Sequence, residues 1–303
     1  MELRDIEYFA VIAEHRHLGR AAEALGLGQP ALSVSLGRLE KAAGSKLVKR
    51  TPKGVELTTV GAAVLAHVHR LRLARADLAR EVSDLAHAQA GHVRIGTSPA
   101  IASNVLPDAC STLLKDAPKA TLTVSIAAST DALLLDLRKG ELDIVVINVS
   151  NVPREGLVRK PLWEDEFVVY ASVRHRLARR RWVALDDLVQ ERWASTAASG
   201  FLAWNSLRRT FEERGLPAPQ FALVSDSGVL NRRLVASLDL LGIAPRMSVG
   251  PSANNVGLKI ISVRDMKWMR PIAAMYRNDG YLSPVAKRFI DILQVMAKAI
   301  APK

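Results

Sequence analysis

Four side chains in the first third of the chain have the chemistry to read a nucleic-acid groove: Gln29, Ser33, Arg50 and Lys53. Glutamine pairs bidentately with an adenine edge, serine reaches a phosphate or a base, and the two cations neutralise phosphates. Further along, Thr97-Ser98-Pro99-Ala100, Ser129-Thr130-Asp131, Asn148 and Ser199-Gly200-Phe201 suit another task, holding the oxygens of a small molecule. Groupings that would do bond-making chemistry do not occur: there is no G-x-S-x-G, no P-loop, no G-x-G-x-x-G after a strand and no H-E-x-x-H. The only close histidine pairs, His15/His17 and His67/His69, are two residues apart, which on a helix points them to different faces. No metal site, no cofactor and no enzymatic activity are expected.

Short helices must position the first set. Leu3, Ile6, Phe9, Ala10 and Ala13 recur at helical spacing to about His15. A second short helix carries Leu18, Ala21, Ala22 and Leu25, with Gly26 as a left-handed stop. A third starts at Pro30, whose missing N–H suits a first turn, and buries Leu32, Leu36 and Leu39. Gln29, Ser33, Val34 and Arg38 then lie outside, as a helix entering a major groove requires; a solvated bundle face has the same periodicity. Leu47-Val48 and Val55/Leu57 bracket Thr51-Pro52-Lys53-Gly54, two short strands around a basic turn. Lys46, Lys49, Arg50 and Lys53 fall within eight residues with no acid between them.

The run AAEALGLGQPALSVSLGRLEKAAGSKLVKRTPKGVELTTVG resembles the winged helix-turn-helix signature of LysR-type transcriptional regulators: AA-x-x-L, S/T-Q-P/S-A-L/V-S, L-E, L-F-x-R, L-T-x-A-G. Gly28, Val48 and Val60 depart from it, standing for the usual Ser/Thr, Phe and Ala. The resemblance implies DNA contacts at Gln29, Pro30 and Ser33 and at Arg50 on the wing, with Val34 at a position often basic in the family. Double-stranded promoter DNA is the implied partner, with RNA polymerase a further one.

From about Thr59 to His87 there is no proline and no glycine after Gly61, and Val64, Val68, Leu71, Leu78, Val82 and Leu85 alternate four- and three-residue steps. A helix spanning about 43 Å with a heptad seam is predicted, suited to pairing with a second copy. Arg75 falls on that seam and is expected to pair with Asp77 or Glu81 of the partner helix. In the resembled family the equivalent helix dimerises the DNA-binding domains, so a homodimer or homotetramer is implied.

After Ala90-Gly91 short β-rich runs alternate with helices: HVRIGT, TLTVSIA, DIVVI, EFVVYASV, RWAST, FALVSD, LGIAPR and RPIAAMYR. That texture predicts parallel α/β sheets, whose ligands lie beyond the carboxyl ends of the strands. GELDIVVI and HRLA resemble G-x-L-D-x-x-I and HPLA of the family's effector domain, which implies two subdomains around a cleft, like periplasmic binding proteins. The expected order is a winged helix-turn-helix over 1–58, a linker helix over 59–90 and an effector-binding domain over 91–303. Within the last, one subdomain comprises 91–162 and 266–303 and the other 163–265. Ser98, Pro99, Ala100, Thr130 and Asn148 are expected on one side of the cleft and Ser199 and Phe201 on the other, with Phe201 or Trp204 as aromatic wall.

The chain has 303 residues, 49% hydrophobic and 24% charged, which excludes disordered and low-complexity classes. Its formal net charge is +12, and nine of those surplus charges lie beyond residue 90. With helix N-termini at the strand ends, that surplus favours an organic anion such as an aromatic carboxylate or sulfonate. One cysteine, Cys110, excludes an intrachain disulfide, and the N-terminus mixes acids and bases from residue 2 unlike a signal peptide. A cytoplasmic protein without membrane association is expected. The rival reading, a solute-binding protein or small-molecule enzyme with an incidental helical N-terminus, lacks export and catalytic signals.

Overall fold

The computed structural model describes residues 1–86, 91–196, 200–249, 257–264 and 266–300, packed as two compact units, Met1–Arg80 and Glu81–Lys303. In the first unit α1 (Leu3–His15), α2 (Leu18–Ala24) and α3 (Gln29–Ala43) precede a hairpin of β1 (Val48–Thr51) and β2 (Gly54–Leu57). Its core contains Phe9, Ile12, Leu32, Leu39, Leu47 and Val55. The breaks are encoded locally. Arg16 sits at φ 50 after α1, His17 caps α2 by accepting from the Gly19 N–H at 3.1 Å, and Gly26 at φ +64 ends α2. Pro30 lies in the first turn of α3, and Gly44 at φ +65 closes it.

The long helix α4 (Thr59–Ala86) corrects part of the predicted seam. Val68 is only 2% exposed in the core of the first unit, and Val64 packs beside it, so the first two seam positions serve the chain's own core. Leu71, Leu78, Val82 and Leu85 are exposed, the last at 77%. Arg75 faces Glu7 of its own chain at 3.9 Å, and Asp77 is paired with Arg80, so neither is held for a partner helix.

The second unit is a nine-stranded sheet in the order β4-β3-β5-β11-β6-β9-β7-β8, with β10 paired to β6. β3 (His92–Thr97), β4 (Thr121–Ile126) and β5 (Ile144–Asn148) are mutually parallel, as are β7 (Arg192–Thr196), β8 (Gln220–Ser225) and β9 (Leu241–Pro245). Between these parallel sets run two long strands, β6 (Leu157–Ser172) and β11 (Trp268–Arg277), antiparallel to each other and to their neighbours. β10 (Leu258–Ile261) lies antiparallel on β6. The sheet is therefore mixed at its centre, because the chain crosses out along β6 and returns along β11.

Helices α5 (Pro99–Asn104), α6 (Leu106–Asp116), α7 (Thr130–Arg138) and the final α10 (Pro284–Ile300) belong to the first lobe; α8 (Gly200–Glu213) and α9 (Gly228–Ser237) belong to the second. Separate cores mark the two lobes, one around Ile95, Leu113, Val146 and Phe289, the other around Trp193, Leu207, Phe211 and Leu241. Among the described residues no helix is long and apolar enough to cross a membrane.

Candidate functional site

The first unit presents its polar residues on α3 and the hairpin. Gln29, Pro30, Val34 and Arg38 are exposed, Ser33 half-buried, and Arg50 and Lys53 exposed on the hairpin. Val34 is 59% exposed. Gly28 precedes α3 with no side-chain cap, so the first N–H groups of that helix are left for another partner.

Beneath this face the buried polar groups are paired. Asp5 accepts from Ser35 Oγ and from Arg38 Nε at 3.2 Å and Nη2 at 2.6 Å. The Arg38 guanidinium, helped by the Ser35 hydroxyl against the effect of burial, holds the Asp5 carboxyl below its ordinary range. Arg38 therefore fixes α3 onto α1 while keeping half its side chain exposed. Glu40 accepts from the Leu47 N–H at 3.0 Å and from Lys46 Nζ at 2.6 Å; these bonds outweigh burial and lower its titration too.

Two glycines set the wing. A Cβ on Gly54, at φ +131, would collide with the Arg16 carbonyl oxygen, which accepts from the Val55 N–H at 2.8 Å. A Cβ on Gly61 would overlap the Leu47 carbonyl oxygen. Thr58 locks that junction, donating to the Lys46 carbonyl at 2.7 Å and accepting from the Gly61 N–H at 2.9 Å.

In the second unit Ser98, Pro99, Ala100, Thr130 and Asn148 all line one cavity of about 800 Å³. Their roles differ from those read off the sequence. α5 has only six residues, too short to concentrate a helix dipole, and the cap of α7 is Ser129, whose Oγ accepts from the Ala132 N–H at 3.3 Å. Asn148 Oδ1 is turned to Ser150, accepting from its N–H at 3.1 Å and its hydroxyl at 2.8 Å. Ser98 Oγ is buried without a hydrogen-bond partner.

Ser199 and the side chain of Phe201 lie outside the described residues. Trp204 packs against the core of the second lobe, its ring tilted 44° to that of Phe221 at 3.7 Å between centroids, and does not line the cavity, so it is not the expected wall. The aromatic wall is instead Phe167 and Tyr170, from β6.

Sequence reading missed the charged floor of this cavity. Arg270 is 4% exposed, with its guanidinium 5.0 Å from the centroid of the Phe167 ring and its Nε 3.7 Å from Asp165. That separation admits an ion pair but no hydrogen bond, and both Arg270 Nε and Asp165 Oδ2 are buried without one. Burial pushes the Asp165 carboxyl up, against the pull of Arg270, and pushes the guanidinium down. From the second lobe Asn231 contributes a buried Nδ2 without a partner, while its Oδ1 accepts from Ser225 Oγ at 2.8 Å. The usable signal was an arginine opening the apolar run RPIAAMYR opposite the acids of WEDEF.

Two family descriptions cover most of the chain: "Bacterial regulatory helix-turn-helix protein, lysR family" over residues 3–62 and "LysR substrate binding domain" over residues 86–297. The SDS degradation transcriptional activation protein of Pseudomonas sp. (strain ATCC 19151) is 30% identical over 249 residues, covering 80% of this chain and 79% of that protein. The hydrogen peroxide-inducible genes activator of Pectobacterium carotovorum subsp. carotovorum is 27% identical over 290 residues, covering 95% and 93%. Among solved structures, full-length CbnR complexed with its target DNA has a TM-score of 0.62 at 19% identity, covering 97% of this chain and 99% of that one. A groove-reading helix with its wing, followed by a two-lobed ligand cleft under matching family descriptions, makes this chain a member of the LysR family of transcriptional regulators, with a DNA-binding and an effector-binding domain and no enzymatic role.

Proposed function

We propose that the chain regulates a promoter by reading DNA with Gln29, Pro30, Ser33 and Val34 on α3, holding phosphates with Arg50 and Lys53, and changing its contacts when a small organic acid enters the cleft. The observation that carries the ligand reading is the buried cation Arg270 in the wall of the cavity that Ser98 also lines, with Arg270 Nε and Ser98 Oγ both lacking a hydrogen-bond partner. The DNA reading is supported by the exposed polar face of α3 and by the DNA-bound state of CbnR. Exposed Leu71, Leu78, Val82 and Leu85 are the seam for a second copy, giving a homodimer or a tetramer built from it. On this reading the protein works in the cytoplasm, with RNA polymerase as a further partner.

The peroxide response named for one relative does not transfer. Cys110 is the only cysteine, packs against the first-lobe core, and burial pushes its thiol up, away from the reactive thiolate. A mobility-shift titration with the DNA flanking the coding sequence, with and without a panel of aromatic and aliphatic carboxylates and sulfonates, tests the proposal. Binding no tighter than to random DNA at equal salt would remove the promoter reading, and indifference to every acid would remove the ligand class.

A further inference from the structure

We infer that Arg270 is the residue that anchors the effector's anionic group, with Asp165 as a built-in competitor that sets how tightly it binds, and that Asn231 receives an uncharged oxygen at the ligand's other end. This rests on the reading of the cleft as an organic-acid site and goes beyond it by naming the residues that select the acid. Four charged side chains line the cavity, Asp131, Asp226, Arg232 and Arg270, so net charge selects nothing. Position decides. Asp131 and Asp226 are exposed and screened by water, whereas Arg270 is almost wholly buried, where a charge acts at lower dielectric.

A buried guanidinium normally has its donors filled by carboxylates or carbonyls, because an unfilled one forfeits its hydration without return. Arg270 has the Phe167 ring near it and Asp165 beyond hydrogen-bond reach, and its Nε is unfilled. What it lacks is an oxygen acceptor in its own plane, which a carboxylate or sulfonate supplies bidentately. Ser98 Oγ, buried and unpartnered in the same cavity wall, offers a further donor.

Across the cleft Asn231 Oδ1 is occupied by Ser225, so only its Nδ2 is free, and it can only donate. Each lobe thus presents a buried donor with no acceptor of its own, while the acceptors Asp131 and Asp226 are exposed to water. The matching ligand is an acid bearing a carbonyl, hydroxyl or ether oxygen remote from its charge, with an apolar body against Phe167 and Tyr170. A cation or an amine would leave those buried donors unfilled and find its acceptors only at the exposed Asp131 and Asp226.

The test is titration of the full chain, by calorimetry, with benzoate, benzenesulfonate, 4-acetylbenzoate and neutral benzamide. Expected are binding of the three anions and not of benzamide, tightest for 4-acetylbenzoate. Arg270→Gln combined with Asp165→Asn, which leaves no unpaired buried charge, should weaken every anion roughly ten-fold or more. Asp165→Asn alone should strengthen them severalfold by removing the competitor, and Asn231→Ala should erase only the preference for 4-acetylbenzoate. A purely structural pair would not give that rise.

Anion binding by the double variant as tight as by the parent overturns the inference and leaves the organic-acid reading intact. If the double variant does not melt cooperatively, Asp165→Asn and Arg270→Lys decide: unchanged affinity in both overturns it. A parent chain that binds none of these acids, nor any of a wider carboxylate and sulfonate panel, removes the organic-acid reading itself.

Discussion

The DNA-reading unit and the ligand cleft treat their buried polar groups in opposite ways. In the first, Asp5 and Glu40 are saturated by Ser35, Arg38, Lys46 and two backbone amides. In the second, Ser98 Oγ, Asn231 Nδ2 and Arg270 Nε of the cavity lining are buried without a hydrogen bond, as is Oδ2 of Asp165, the acid paired with Arg270. An unfilled buried donor or acceptor costs on the order of 1–3 kcal/mol. The buried carboxylates of the reader are thus satisfied within the chain, whereas the cleft carries a standing penalty that a ligand can relieve. A rigid domain that touches an unchanging double helix and a responsive one that waits for a small molecule need these two solutions.

The largest effect expected is on assembly, since α4 is the other surface left unfinished. Leu71→Asp with Leu78→Asp puts charges among its exposed apolar residues, and sedimentation should then show monomers at micromolar concentration. An unchanged oligomer would mean that this stripe is not the interface. Next, Gly61→Ala forces a methyl into the Leu47 carbonyl and should destabilise the reader by about 3 kcal/mol in urea unfolding. Gly37→Ala, in open space on α3, should instead stabilise it by about 0.5–1 kcal/mol. Equal effects would show that the reader is not tightly fitted.

Gln29→Ala should cost about 1–3 kcal/mol at the specific site and little on random DNA, while Arg50→Ala should weaken both alike and reduce the salt dependence. Equal losses on both DNAs for Gln29→Ala would end the direct-readout claim.

The smallest effect contrasts the units by acid. Asp5 and Glu40 titrate below their unfolded values, so the stability they add is present at neutral pH and is lost as pH falls through and below the ordinary carboxylate range. Asp165 titrates above its unfolded value, so its contribution is full in acid and lost as pH rises through its folded value. All five tryptophans lie in the second unit, so their fluorescence isolates its melting from that of the whole chain followed by circular dichroism. Acidification should lower the reader's melting more than the tryptophan-reported transition; parallel falls in both would show that these carboxylates do not govern them.

The reader was legible almost to the residue because its instructions are local: Gly26 and Gly44 as stops, Pro30 as a start, and the basic turn at Lys53. The heptad spacing divides between two environments, a buried one at Val68 and an exposed one from Leu71 to Leu85. Periodicity locates an apolar stripe but not the surface that meets it, and Val68 meets its own core. The central strands were harder. Only EFVVYASV of the 16-residue β6 is legible as strand, since its first half carries Lys160, Pro161 and Glu164, all exposed, and lacks an apolar run. Arg270 escaped for a related reason: its environment is made by Asp165 and Phe167 across a strand pair more than a hundred residues distant in sequence.

β6 and β11 are paired from Leu157 to Phe167, a ribbon that passes from one lobe to the other. A pair of loops would behave as a door hinge, swinging freely until something caught it. A hydrogen-bonded ribbon behaves as a torsion bar: bending it within the sheet plane strains its rungs, but twisting is its natural compliance. Any rotation of one lobe against the other must therefore pass through this ribbon as twist.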